Sequence, residues 1–431
     1  MNTKLNVFKD RYHKKYVYRL IIPTILTLTT CFYTATSRPV SSAPLNGQTG
    51  LSSGRALAQT APATPAPSSY GPTTANFMFL PMVANNQTTA PTAPVRAMRL
   101  DFSDYAASRS EIVQMEQKFR ASGVNMVGLG AGRVEWTFFK WPGHQANWSN
   151  DVKDTGIDFL AEDTARFGKW AHVDAVIDVF APNYIQAHPE KAAISFYGRV
   201  SENLVSTTEL TQGEFGQQLL DMVEGIAANY PVDSISITEL DYHSDGYGPD
   251  DKAAYLAYTG RTDWPRLSDG VINIHDPSIG KWRTHMLDVY LDKAVVIAHR
   301  YGKEFFLDVQ LSDDANDPTT NLHGTDYNVV LQHTDRLVVW GYFGLDGSDP
   351  QDFFQYAKYL LTFGAKHVIL SIGLWDDTDP SITCDELREA ILASQSGGLG
   401  NLWVTPSTLM TDAHWQELND IWGAASGLLR R

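Results

Sequence analysis

The segment Thr238-Glu239-Leu240-Asp241-Tyr242-His243 sets two carboxyl groups two residues apart, beside a phenol and an imidazole. Such groups suit acid–base work. Cleavage of a glycosidic bond needs two carboxyl groups flanking that bond, at a separation set by whether the configuration is retained or inverted. Glu239 is the first candidate for one of them. Asp308 and Asp376 are the candidates for its partner, with Asp377 and Asp346 as further options. Sugar rings also need aromatic faces on which their CH groups stack. Trp136, Trp141, Trp148, Tyr242, Trp340, Tyr342 and Trp375 could supply them. Asp101, Glu135, Asp178, Asp241, His243 and Gln310 complete the expected set of substrate-binding side chains.

These residues have to be held by regular elements. From residue 95 onward, short apolar runs alternate with amphipathic stretches. Strands are predicted over 96–102, 124–130, 173–180, 234–240, 305–311, 337–343, 367–374 and 402–405. The helices that follow them are predicted over 108–122, 157–170, 212–230, 281–301, 326–333, 350–363, 384–394 and 412–422. Eight consecutive strand–helix units point to an α/β fold of the (β/α)8 TIM-barrel type. The chain exceeds the usual ~250 residues of that fold, and the excess lies in 131–156, 181–211 and 241–280. All three stretches follow strand C-termini, the face on which barrel enzymes build their sites.

Side chains alternate between the two faces of a strand. In the fifth strand Leu307, Val309 and Leu311 share one face, toward the helices, and Asp308 and Gln310 share the other, toward the barrel axis. The same alternation turns Arg99, Asp101, Asp178, Ser236, Thr238, Trp340, Tyr342, Trp403 and Thr405 inward. A plain barrel interior is packed with Val, Ile and Leu. Buried carboxylates are costly unless paired, so this polar lining points to a site, although Arg99 beside Asp101 or Asp308 could equally be an internal ion pair. Strict alternation aims Glu239 outward, with Ile235 and Ile237; a bend at the strand end is needed to bring it in.

The segment 228–242, Ala-Asn-Tyr-Pro-Val-Asp-Ser-Ile-Ser-Ile-Thr-Glu-Leu-Asp-Tyr, resembles the fourth strand of the glycosyl-hydrolase-like TIM-barrel family. So do His188-Pro-Glu190, Thr262-Asp-Trp-Pro-Arg266 and the segment 334–342, Thr-Asp-Arg-Leu-Val-Val-Trp-Gly-Tyr, in their order along the chain. The resemblance spans most of 96–415. It implies a carbohydrate-active hydrolase whose fourth-strand carboxylate falls on Glu239. The chain departs from the family pattern at Ser234, at the pair Thr238-Glu239 and at Gly341.

Other chemistries find less support. The 12 His are scattered, with no His-x-His or His-Glu-x-x-His spacing, so neither a metal nor another cofactor is expected. The run 245–251, Asp-Gly-Tyr-Gly-Pro-Asp-Asp, lacks the spacing of a calcium loop. The glycines of Ser396-Gly-Gly-Leu-Gly400 precede the last strand and read as a turn. Cys384 reads as a small core residue. With 49 acids against 34 bases and a net charge of −15, the chain is a poor partner for nucleic acid.

Residues 1–19 are basic, 20–33 are apolar and Ala35-Thr36-Ser37 closes the run, the layout of a signal peptide over 1–37. Cys31 leaves a lipid anchor as an alternative. Residues 38–95, rich in Ala, Pro, Thr and Ser, read as a disordered linker, interrupted by the apolar island 77–83. The barrel occupies 96–431. The expectation is a secreted or cell-surface glycoside hydrolase, monomeric, acting on a polysaccharide or oligosaccharide, with cell-envelope association open. The rival is a non-catalytic sugar-binding or envelope protein on the same scaffold, because fold alone does not imply chemistry.

Overall fold

A computed structural model of the chain describes residues 93–101, 108–311 and 323–423. The leader, the linker up to residue 92 and the apolar island lie outside them. Eight parallel strands form the barrel: β1 (Arg96–Leu100), β2 (Met126–Arg133), β3 (His172–Asp178), β4 (Ser234–Thr238), β5 (Glu304–Gln310), β6 (Arg336–Gly341), β7 (Val368–Gly373) and β8 (Leu402–Thr405). Each pairs with its sequence neighbours, and β1 pairs with both β2 and β8, so the sheet closes. The helices are α1 (Arg109–Ala121), α2 (Phe159–Phe167), α3 (Glu214–Asn229), α4 (Pro277–Arg300), α5 (Tyr327–Val330), α6 (Phe353–Leu360), α7 (Cys384–Ser396) and α8 (Asp412–Leu418). This is the expected (β/α)8 architecture.

Local chemistry sets the element ends. Ser108 caps α1, and Glu111 returns a bond to the Ser108 N–H. Thr383 and Glu386 do the same for α7. Asp276 caps α4, with Pro277 in its first turn, so this helix starts four residues before the predicted 281. Several helices are shorter than expected: α2 ends at Phe167, α5 is one turn, α6 is flanked by 3-10 turns, and α8 gives way after Leu418 to a π-helical turn over Asn419–Gly423. Strand β2 runs three residues past the predicted end, through glycines that resemble chain breakers in the sequence. A bulge between Gly130 and Gly132 takes up the extra residue. Cys384 opens α7 and is half-exposed, which corrects the expectation of a core thiol.

The facing pattern holds. Leu307, Val309, Ile235 and Ile237 face the helices in the main apolar core, with Leu311 packed at its edge. Inside the barrel a separate apolar cluster of Ala97, Met126, Val176, Phe306, Val338, Ile369 and Trp403 plugs the N-terminal half. Gly128 makes room for it: a Cβ there would stand 2.4 Å from the Trp403 ring.

The long connections are structured. After β2 come a short strand, Trp136–Thr137, and a helix, Asn150–Thr155. After β3 come a hairpin of Ala192–Ile194 with Val200–Val205 and a helix, Thr207–Gln212. After β4 a helix, Pro249–Thr259, packs over its own apolar core of Tyr247, Tyr255, Trp264, Ile274, Ile279, Trp282 and Met286. Acids of the 245–251 run tie these pieces together. Asp251 accepts from the Thr208 N–H and hydroxyl, both at 2.9 Å, and Ser206 donates to Asp250.

Candidate active site

The C-terminal ends of the strands hold a cluster of charge above the apolar plug. Glu239 follows β4 directly and has φ 67°, the one non-glycine left-handed residue among those described. A β-conformation here would send its side chain out among the helices. The left-handed turn instead directs it to the axis, where Asp178, Arg99, Asp308 and Arg133 surround it electrostatically. The mismatch in the strand alternation is therefore resolved by one backbone torsion. Such a conformation costs roughly 1–3 kcal/mol for a residue with a Cβ.

Each neighbour has its own support. Arg133 donates to Asp178 from Nε at 2.8 Å and from Nη2 at 2.6 Å. The same guanidinium lies over the rings of Trp136 and Phe180, at 5.4 and 5.3 Å. Arg99 pairs with Asp101 at 3.0 Å and also feels Asp308, Glu239 and Tyr342. It is thus an internal ion pair and a member of the site together. Asp308 is buried, with the Thr238 hydroxyl bonding to it and the Trp340 indole turned toward it.

The electrostatics separate the carboxyl groups. Burial, and then the Asp178 charge, push Glu239 up to about 8, with Arg99 and Arg133 pulling the other way. Burial pushes Asp308 up to about 7, opposed mainly by Arg99. Asp101 is also raised by burial against the pull of Arg99. Asp241 goes in the opposite direction. Its burial is outweighed by His323 and then His243, which hold it well below the usual carboxylate range.

Asp241 lies two residues past Glu239 and is 26% exposed. The main-chain N–H of His243 donates to its Oδ1 at 3.0 Å, and Gln310 donates to its Oδ2 at 3.3 Å. His323 Nδ1 stands 2.7 Å from Oδ1, and the His243 and His323 rings stack at 5.2 Å. His323 escaped the sequence reading. It lies in a polar connection with no motif around it, and only the fold brings it 82 residues back to Asp241.

The aromatic candidates divide. Trp340, Tyr342 and Trp375 form one wall: Trp340 and Tyr342 stack at 5.4 Å, and Tyr342 meets Trp375 at 5.2 Å. Burial and then the charges of Asp308 and Glu239 raise the Tyr342 phenol, which places its ring beside the carboxyl groups. Gly373 leaves space for that ring, since a Cβ there would stand 2.4 Å from it. Tyr242, expected to face a ligand, is instead buried, with its hydroxyl donating to the Val205 carbonyl at 3.0 Å. The reason is the same turn at Glu239, which reverses the alternation beyond it. Trp141 is also buried, stacked on His144 at 3.8 Å, and Trp148 donates to the Trp141 carbonyl at 3.1 Å.

The remaining candidates are peripheral. Glu135 accepts from the Tyr184 main-chain N–H at 2.5 Å, and burial raises it. Asp376 organises a turn, accepting from the N–H groups of Thr378 and Asp379 at 2.7 and 2.9 Å. Asp346 ends a one-turn helix, Phe343–Asp346, and Asp377 is exposed. Neither these three nor Glu135 is among the main charges felt by Glu239. Among the described residues no group of three or more His, Cys, Asp or Glu is placed to hold a metal ion.

A closed eight-stranded parallel barrel with a polar mouth above an apolar plug defines a TIM-barrel protein. Two solved structures of that class align over nearly their whole length. One is the glycoside hydrolase domain of PgaB (BpsB) from Bordetella bronchiseptica, at 16% identity and TM-score 0.60, covering 77% of this chain and 99% of that one. The other is the catalytic domain of β-amylase from Paenibacillus polymyxa, at 13% identity and TM-score 0.51, covering 76% and 98%. The chain shares the barrel fold of these glycoside hydrolases. No protein-family profile and no curated protein sequence matches it.

Proposed function

We propose that the protein hydrolyses glycosidic bonds in a polysaccharide or oligosaccharide, with Glu239 as the proton donor. The observation that carries this reading is the left-handed turn that directs Glu239 into a cluster of carboxylates, where it keeps its proton at neutral pH. A general acid has to be protonated at the working pH, and a site containing a second carboxylate keeps one of the two neutral. Asp178, paired with Arg133, is the charged partner that faces it. Asp308 is itself raised by burial to about 7, and its charge adds to the rise at Glu239. The wall of Trp340, Tyr342 and Trp375 offers faces for sugar rings. The barrel fold shared with two glycoside hydrolase structures agrees with this chemistry. The basic-then-apolar leader supports a location outside the cytoplasm, released or at the cell surface.

The test is release of reducing ends from a panel of polysaccharides by the full chain and by Glu239→Gln. Release by the wild type alone supports both the activity and the residue. Equal release by both keeps a hydrolase and removes Glu239 from the mechanism. Binding without release favours the sugar-binding alternative.

A further inference from the structure

Asp241 is held at the mouth by groups from separate parts of the fold. Three elements contribute: the β4 loop itself through the His243 N–H, β5 through Gln310, and the connection entering α5 through His323. His323 is 3% exposed, while the carboxylate it meets is 26% exposed. The imidazole therefore stands behind Asp241, on the protein side, and leaves the carboxylate open to the cleft. A charge-assisted bond of this kind is roughly twice as strong as a neutral one and fixes orientation. Its stacking on His243 brings in the residue whose main chain also binds Asp241.

We propose that His323 is a positioning residue, which locks Asp241 in one orientation at the mouth so that its free lone pairs accept hydrogen bonds from sugar hydroxyls of the bound glycan. The proposal rests on the glycan reading for its ligand, but not for the clamp. Among the described residues, the titratable groups facing Asp241 are His323, His243 and Asp245. Of these only His323 bonds to the carboxylate through its side chain. Asp241 makes no bond to a reacting atom in this scheme. Losing its orientation weakens binding and spares turnover.

The test uses the full chain with His323→Ala, His323→Asn and Asp241→Asn. Asparagine carries a side-chain N–H near the place of Nδ1 and serves as the conservative replacement. His323→Ala is expected to raise KM about tenfold, the scale of one charge-assisted bond, with kcat changed by less than about twofold. His323→Asn is expected to recover most of that loss. In parallel, carboxyl NMR follows the Asp241 titration, assigned by its absence in Asp241→Asn. The midpoint is expected to rise toward the ordinary carboxylate value in His323→Ala. An unchanged KM, or equal losses of KM and melting temperature in both His323 variants, overturns the proposal. If no glycan is cleaved at all, the proposed function fails, and the Asp241 midpoint decides the clamp alone: a rise keeps it and no change removes it.

Discussion

Asp174 and Glu239 are both carboxyl groups inside the barrel, on or just beyond neighbouring strands, and both are raised by burial. Their surroundings differ. Asp174 accepts from Ser234 Oγ and Ser236 Oγ, each at 2.6 Å, one hydroxyl on each oxygen. Those donors sit on β4 at the register that pairs Asp174 with Ser234. The charges Asp174 feels, His172 and Arg99, rank behind those hydroxyls, while Glu239 faces mainly charges, two carboxylates and two guanidinium groups, at the open end of the same wall. A buried carboxyl satisfied by neutral hydroxyls stitches strands together. One set among charges of both signs is poised to exchange a proton.

The largest effect that could break this contrast is on turnover. Glu239→Gln is expected to lower kcat by about 10²–10⁴-fold, the usual worth of a positioned acid, while Asp174→Asn keeps kcat within about tenfold. Steady-state kinetics on the cleaved glycan check both, and a catalytic loss at Asp174 without unfolding would erase the distinction. Next comes stability. Asp174→Ala strands the buried Ser236 hydroxyl, while Ser234 keeps His172 Nε2 at 2.9 Å; at about 1–3 kcal/mol for the stranded group, it is expected to lower the melting temperature by several degrees.

The pH dependence sharpens the contrast further. Glu239 is raised from 4.5 to about 8 in the folded state. Between those values the unfolded chain loses the proton and the folded chain keeps it, so this group's contribution to stability falls as pH rises through that window. Glu239→Gln removes the dependence. The variant is expected to gain melting temperature relative to wild type at pH 8.5 compared with pH 4.5, as thermal scans at the two values will read. Hydrolysis is expected to decline above about pH 8, as the acid loses its proton. The smallest effect is at the rim: Trp375→Ala is expected to raise KM a few-fold, the scale of one aromatic contact of about 0.5–1.5 kcal/mol.

Much of this was legible in the chain. The alternation in Phe306-Leu-Asp-Val-Gln310 gave the facing of β5 correctly, because each face meets a different environment. Asp178, Asp308, Trp340 and Tyr342 were located at the mouth by the same rule. The rule stopped at the end of β4. Period-two reasoning assumes extended backbone, and one left-handed residue inverts everything beyond it. That turn brings Glu239 in and buries Tyr242, one of the aromatic residues expected to face a ligand. Asp376, a candidate partner from its position after β7, is taken up by its own turn, because position along the chain does not determine what a side chain bonds. His323 carried no local signal, since its partner is fixed by the barrel and not by spacing.

The left-handed backbone at Glu239 also bears on how such a protein changes over generations. Glycine or asparagine would adopt the same torsion with little strain, and neither would carry a buried ionisable group. Drift at this codon therefore runs downhill in folding energy, toward a sturdier barrel without its acid. Under the proposed function, a glutamate in that conformation persists only while its chemistry is selected, and descendants released from that selection would become stable, silent barrels.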